Sequence, residues 1–385
     1  MVVACYVITA TITGRTPLHI GSGKRTGVIK HTHPHIPGSF LRGSAGVCLL
    51  KVACKLDKPI LNHEECEYFE DCLYTSLYGE EAGKSSRIFF RYAYPLHLKC
   101  GDGVYRPAPK TTYVCSNRQC GEVYHLFEPP MECERCGKSV KPFVGYICSA
   151  CGELNRYPTP TTRVTLTALD RARYSAAQIP TEEEPKGTLH TIELIDKGAK
   201  FRLEVVVDSE CKGYLNQVKA ILQEGMRDEG VGGGKSRGFG KIEVEDLRIH
   251  EVTAEALRKR AEEIDTANFL LEATSPMILG RGRILEPPTL LEAARRAYTW
   301  CFHEGKPRLP EVELVERRYS YETFSGWSLK EGRRRRIEPA LSPGSVFRFK
   351  SDGVDETLAL SLAALELQAV GSYKPHGCGQ LRVAT

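Results

Sequence analysis

Apolar and polar residues alternate from Tyr6 to Ile12, from Gly187 to Ile195 and from Lys200 to Val207, the two-residue period of half-buried strands. Two stretches have helical spacing instead. One opens at Ile36-Pro-Gly-Ser-Phe-Leu-Arg-Gly43 and runs on to Ala53; the other places Leu215, Val218, Ile221, Leu222 and Met226 on one face. Pro37 fixes φ at the start of the first helix, and Ser39 is placed to cap its free N–H groups. With a further strand at Lys241-Ile-Glu-Val-Glu, the order is strand, helix, strands, helix, strand. That order predicts an α+β domain with a ferredoxin-like, RRM-like core.

The pattern starts again after a charged linking helix at 252–265. Asn268 to Gly280-Arg-Gly-Arg283 repeats the layout of residues 6–25, Leu290 to Phe302 matches the first helix in position, and Leu358 to Ala369 is an apolar helix. The C-terminal third therefore reads as a second, degenerate ferredoxin-like domain. Residues 1–110 and 153–250 would form a discontinuous RRM-like core, 111–152 an insertion, and 251–385 the second copy.

Each helix–strand junction carries a glycine loop. Val231-Gly-Gly-Gly-Lys-Ser-Arg-Gly-Phe-Gly240 has five glycines around Lys235, Ser236 and Arg237, and Gly371 to Gly379 repeats the signal with Lys374 and His376. Such a loop can bring backbone N–H groups and cations to a phosphate chain. It follows a helix and precedes a strand, the reverse of the order that P-loops and dinucleotide folds need. A surface loop beside the helix start at Ser39 and Arg42 is the expectation, the two together forming a track for phosphates.

Composition narrows this only slightly. The chain has 385 residues, 41% hydrophobic and 26% charged, with a net charge of +5, too small to name a nucleic-acid partner without local clustering. No apolar run approaches the roughly 20 residues that span a membrane. The N-terminus alternates like a strand rather than a signal peptide, so a cytoplasmic protein is expected.

Fifteen cysteines then need a reason other than disulfides. Cys115 and Cys120, Cys133 and Cys136, and Cys148 and Cys151 form three pairs, each ending in glycine. Two such knuckles make a tetrahedral zinc ribbon, with zinc as a structural cofactor. Six thiolates exceed one zinc, so either one pair is spare or a further ligand such as His125 completes a second site. Cys66 and Cys72, in the stretch His63 to Cys72, have poor knuckle spacing. Cys5, Cys48, Cys211 and Cys301 sit in apolar surroundings and read as core residues.

Residues 26–36 hold Lys30, His31, His33 and His35 and no acid, which reads as a mobile cationic loop, and Arg333 to Arg336 are four consecutive arginines. Leu18-His-Ile-Gly-Ser-Gly23, Ile36 to Gly43, Leu77-Tyr-Gly79 with Ser86-Arg87, the strand pair from Gly187 to Phe201, and Gly232 to Gly240 together resemble the RAMP superfamily of CRISPR-associated proteins. Within it the pattern is most similar to the backbone subunit of type III effector complexes. The resemblance covers roughly residues 5–250. It implies packing along a guide RNA, self-association in a row, contact with other effector subunits, and a sequence-tolerant grip on single-stranded RNA. Lys24, Arg25, Ser39, Arg42, Arg163, Lys235, Ser236, Arg237 and Lys241 would then lie near the RNA backbone. Subunits of that kind that cut RNA carry an aspartate between the first strand and first helix, and Gly21 to Gly38 has none. His31, His33 and His35 are the alternative, as general acid–base groups of a repeat-RNA endoribonuclease. A subunit capping the guide's 5′ end is a third reading. The expectation is an RNA binder without nuclease activity.

Overall fold

In the computed structural model the described residues are 2–56, 65–79, 85–101, 103–167, 169–170, 172–173, 175–179, 186–187, 189–280, 282–328 and 332–384. The chain is a mixed α+β protein built on two antiparallel sheets. The first is organised around the strand Val3–Gly14, which pairs with Lys200–Asp208 on one side and Ile242–Thr253 on the other; Ile88–Phe90 pairs beyond Lys200–Asp208. Numbered along the chain, the strand order is fourth, first, third, second. Tyr6, Ile8, Ala10 and Ile12 lie opposite Val207, Val205, Leu203 and Phe201, and all eight are buried on the face covered by the helix Gly38–Ala53 and the helical run from Leu215 to Glu229. Alternation in the sequence thus becomes one continuous apolar layer.

The second sheet has the same order. Asn268–Ala273 lies between Leu381–Ala384 and Val346–Ser351, with Val312–Arg318 outermost, and the helices Pro287–Phe302 and Glu356–Gln368 pack with it around a second core. The likeness extends to individual hydrogen bonds. Val231 N–H donates to Gly240 O and Val370 N–H to Gly379 O, both at 2.8 Å. Gly240 N–H donates to Pro17 O and Gly379 N–H to Pro276 O, while Lys241 N–H reaches Thr16 Oγ1 at 3.0 Å and Gln380 N–H reaches Ser275 Oγ at 2.9 Å. Leu18 exchanges backbone bonds with Ile195 as Met277 does with Leu341.

Each half also sends out a β arm from this point. Thr161–Thr167 pairs with Leu189–Ile195, starting from Thr161 opposite Ile195; Tyr321–Phe324 pairs with Glu338–Leu341, starting from Tyr321 opposite Leu341. In the first arm the segment expected as a mobile loop is instead a hairpin, Gly21–Thr26 with Ile29–Thr32, the latter pairing parallel to Leu189–Ile195. Its glycines and cations hid the alternation that marks other strands.

The halves meet closely. Trp300 Nε1 donates to Asp208 Oδ2 at 2.8 Å and its ring stands edge-on to Phe89; Arg91 Nη2 donates to Glu366 O at 2.7 Å. The glycine loop against the first-helix start is the C-terminal one, contrary to the expectation for the loop at 231–240. A Cβ on Gly38 would stand 2.7 Å from His376 O, and one on Gly377 would stand 2.6 Å from Phe90 O. Glycine at both positions is what lets the two backbones touch. The first helix begins after Pro37 without a side-chain cap, so Ser39 does not play the capping part expected of it. Cys5, Cys48, Cys211 and Cys301 are all buried. No described helix is long and apolar enough to cross a membrane.

Candidate metal sites and nucleic-acid interface

Two clusters of metal-ligating atoms lie in the segment between Tyr94–Pro95 and Thr161–Thr167. Cys115, Cys120, Cys133 and Cys136 bring four sulfurs within 4.8 Å of one another, with Cys115 and Cys136 3.3 Å apart. Strand Thr112–Cys115, paired with Val123–His125 and Val140–Pro142, delivers the first sulfur. The turns at Gly121 and Gly137 take positive φ and curl the chain so that each pair points inward. The Tyr124 hydroxyl donates to Cys133 Sγ at 3.4 Å and, with backbone N–H groups, holds that thiol down to about 6. Burial pushes the Cys115 thiol up to about 12.

The second cluster joins Cys148 and Cys151 to His97 and Cys100. His97 Nδ1 lies 3.1 Å from Cys100 Sγ and 3.5 Å from Cys151 Sγ, and Cys100 Sγ is 3.4 Å from Cys148 Sγ. Gly103 has no room for a side chain here, since a Cβ would stand 2.6 Å from Cys148 Sγ. Burial works against ionisation of Cys148, but the Cys151 and Ala150 N–H groups outweigh it and lower the thiol to about 6. His97 Nε2 is buried with no hydrogen bond; Glu153 Oε2 is 3.5 Å away. Both donor sets, four sulfurs and three sulfurs with one imidazole, can hold a tetrahedral metal ion. His125 is not part of either: its Nδ1 lies 3.2 Å from Thr112 Oγ1. The overlooked signal was His97-Leu-Lys-Cys100-Gly101, a knuckle with histidine in the first place. Cys66 and Cys72 belong to neither cluster and line a small apolar cavity with Cys54; His63 lies outside the described residues, as does Arg281.

Lys24, Arg25 and Arg163 lie on the first arm, and Lys235, Ser236, Arg237 and Lys241 on the glycine loop and at its exit. Lys24, Arg25, Arg163, Lys235, Ser236, Arg237 and Lys241 are exposed. Arg25 stands directly opposite Lys30 across the hairpin, an arrangement of like charges that disfavours the sheet. Arg163 Nη2 and His31 Nδ1 lie 3.4 and 3.2 Å from the two oxygens of Glu193, and Arg237 Nη1 reaches His190 Nε2 at 3.4 Å. The strand Leu189–Ile195 is therefore the meeting line of the hairpin, the arm and the glycine loop. Burial opposes ionisation of Glu193, but Thr32 N–H, His31 and Arg163 outweigh it and hold the carboxyl below its usual range. Within the loop, Val231, Gly233, Arg237, Gly238, Phe239 and Gly240 donate their N–H groups to protein carbonyls. Side chains, more than a backbone cradle, face outward.

Three other expected residues are placed differently. Arg42 is buried, donating to Tyr78 O at 3.0 Å and to Ile88 O and Ser86 Oγ at 3.3 Å, with its guanidinium 4.0 Å over the Tyr78 ring. It holds the first helix to the segments on either side of residues 80–84 rather than facing solvent. His33 and His35 turn inward too, their rings 5.1 Å apart, with His35 against Tyr92, Tyr94 and Tyr146. Burial lowers His33 to about 4 and His35 well below the usual imidazole range. His31 alone of the three lies on the cationic sheet, between Glu193 and Thr26 Oγ1.

An 80-residue stretch is 36% identical to the CRISPR system Cms endoribonuclease Csm3 of Methanothermobacter thermautotrophicus, spanning 20% of this chain and 32% of that relative, about a third of its length. Among solved structures, a Cas6 product complex aligns with a TM-score of 0.42 and 10% identity over 99% of this chain and 100% of the other. A type III-B Cmr-beta complex bound to cognate target RNA aligns with a TM-score of 0.34 and 14% identity over 64% of this chain and 61% of the other. The model of the RAMP superfamily matches residues 11–243, more than half of the sequence, and takes in the first arm and the glycine loop at 231–240. The chain belongs to the RAMP superfamily.

Proposed function

We propose that this protein is an RNA-binding subunit of a type III CRISPR effector complex, holding single-stranded guide RNA by its backbone without reading bases. The observation that carries this reading is the pairing of Arg25 with Lys30, with Arg237 reaching the neighbouring strand at His190. Cations set directly opposite each other cost stability unless an anion lies between them, and a phosphate chain supplies one at every step. The match to Csm3 supports the type III assignment, with other effector subunits and further copies of this chain as partners. The inward-facing, neutral His33 and His35 support a binder rather than an endoribonuclease. Both halves are read as ferredoxin-like on their strand order. The metal-bearing insertion is set at 97–155, wider than cysteine spacing suggests, and both clusters are assigned structural zinc. The cytoplasm follows from the CRISPR role.

The test is affinity for an unstructured oligoribonucleotide against salt. With about six phosphate contacts it should fall roughly 300-fold between about 50 and 200 mM salt. It should collapse when Arg25, Lys30 and Arg237 are changed together to alanine. A flat salt response, or full affinity in the triple variant, would refute the reading. One feature favours the guide-capping role: the second half docks its glycine loop on the first helix within one chain, completing a pair internally. Native mass measurement on a long RNA separates the two, since a backbone subunit adds in multiples and a cap adds once.

A further inference from the structure

The second arm carries a different surface from the first. Its outer strands, Trp327–Ser328 and Arg333–Arg334, set Trp327 directly opposite Arg334, and Trp327 is 59% exposed. An indole is a large apolar body that proteins bury when nothing else covers it. The protein's other tryptophan, Trp300, is only partly exposed and is bonded to Asp208. Around Trp327 positive charge predominates: between residues 328 and 338 the chain carries Lys330 and Arg333 to Arg336 against Glu331 and Glu338, and Arg334 and Arg336 are exposed. The arm is also held in place. Arg335 N–H donates to Gly326 O at 2.8 Å, its Nη1 lies 3.3 Å from His376 Nε2 and its guanidinium 5.5 Å from the Tyr373 ring, while Phe324 packs on Tyr373. The strands of the first arm, Thr161–Thr167 and Leu189–Ile195, contain no aromatic residue.

We propose that the outer strand pair of the second arm, Trp327–Ser328 with Arg333–Arg334, is a stacking site for an unpaired nucleobase of single-stranded RNA, with Trp327 as the platform and Arg334 and Arg336 on the flanking phosphates. Every base has a π face, so this contact suits a sequence-tolerant binder, and the cations match the charge that accompanies each base. The site rests on the RNA-binding reading but uses residues of the second arm.

Fluorotryptophan incorporated into the full chain gives two fluorine resonances, assigned with Trp327→Phe. Addition of oligouridylate should move the Trp327 resonance and leave that of Trp300, whereas polyphosphate, which has charge but no bases, should leave both. Trp327→Ala should weaken RNA binding roughly tenfold, and Trp327→Phe should retain most of the affinity. RNA bound by anisotropy with an unmoved Trp327 resonance would overturn the stacking site while leaving the cationic sheet intact. A shift that tracks protein concentration without RNA would make the Trp327 surface a contact between copies instead. No RNA binding at all would remove both readings together.

Discussion

The Tyr146 hydroxyl and His35 Nδ1 lie 2.9 Å apart, which ties the cysteine-rich insertion to the segment leading into the first helix. Tyr146 begins the strand that ends at Cys148, a member of the His97 cluster. Order at that cluster is thereby passed to the buried ring group of His33, His35, Tyr92 and Tyr94.

Two equivalents of zinc are expected in protein purified under reducing conditions. Changing Cys120 and Cys133 to serine should leave one equivalent, as should changing His97 and Cys100 to alanine, whereas His125→Ala should keep two. Elemental analysis of gel-filtered protein decides this. Retention of both ions after loss of His97 and Cys100 would show that the second donor set is wrong.

Arg42→Ala should act on stability and not on RNA. It strands the carbonyls of Tyr78 and Ile88 in the interior and removes the cation from the Tyr78 ring. The cost should be about 2–4 kcal/mol in denaturant unfolding, with RNA affinity per folded molecule unchanged. Lost affinity at full stability would return Arg42 to the RNA surface.

Relieving the like-charge pair should have the opposite signature. Arg25→Thr or Lys30→Thr should raise stability by roughly 0.2–1 kcal/mol while weakening RNA binding, because β-branched residues suit the hairpin and the repulsion disappears. Thermal unfolding beside anisotropy titrations would show both changes, and a loss of stability would mean that the cations are neutralised within the protein.

Stability should fall with acid through a window set by His33. Its folded value, about 4, lies below the usual 6.5, so the unfolded chain takes up the proton first. The contribution is whole above about pH 6.5 and is lost as pH drops towards 4, about 3 kcal/mol at the end of the range. His35, packed on it, works in the same direction; Lys24 is the charged group that lowers His33 further. In His33→Asn, unfolding free energies measured across this range should decline less steeply.

Much of this architecture was legible because it is written locally. The alternation of Tyr6 to Ile12 gave its strand and buried face, and the glycine loops at 231–240 and 371–379 disclosed a repeat that now extends to matching backbone bonds. What escaped was decided at a distance. Residue type alone gives no sign that Arg42 faces inward, since its partners come from Tyr78, Ser86 and Ile88. The hairpin at 21–32 has a parallel partner for Ile29–Thr32 far along the chain, and Cys148 and Cys151 meet His97 and Cys100 across the whole of the intervening knuckle.

The close approach of Gly38 and His376 has a consequence for synthesis. The amino end of the first helix is covered by a loop more than 300 residues further along the chain, so the first half must emerge from the ribosome with an open seam. That seam can close only once residues 371–379 have been made, and until then the uncovered helix end is open to misassembly with neighbouring copies.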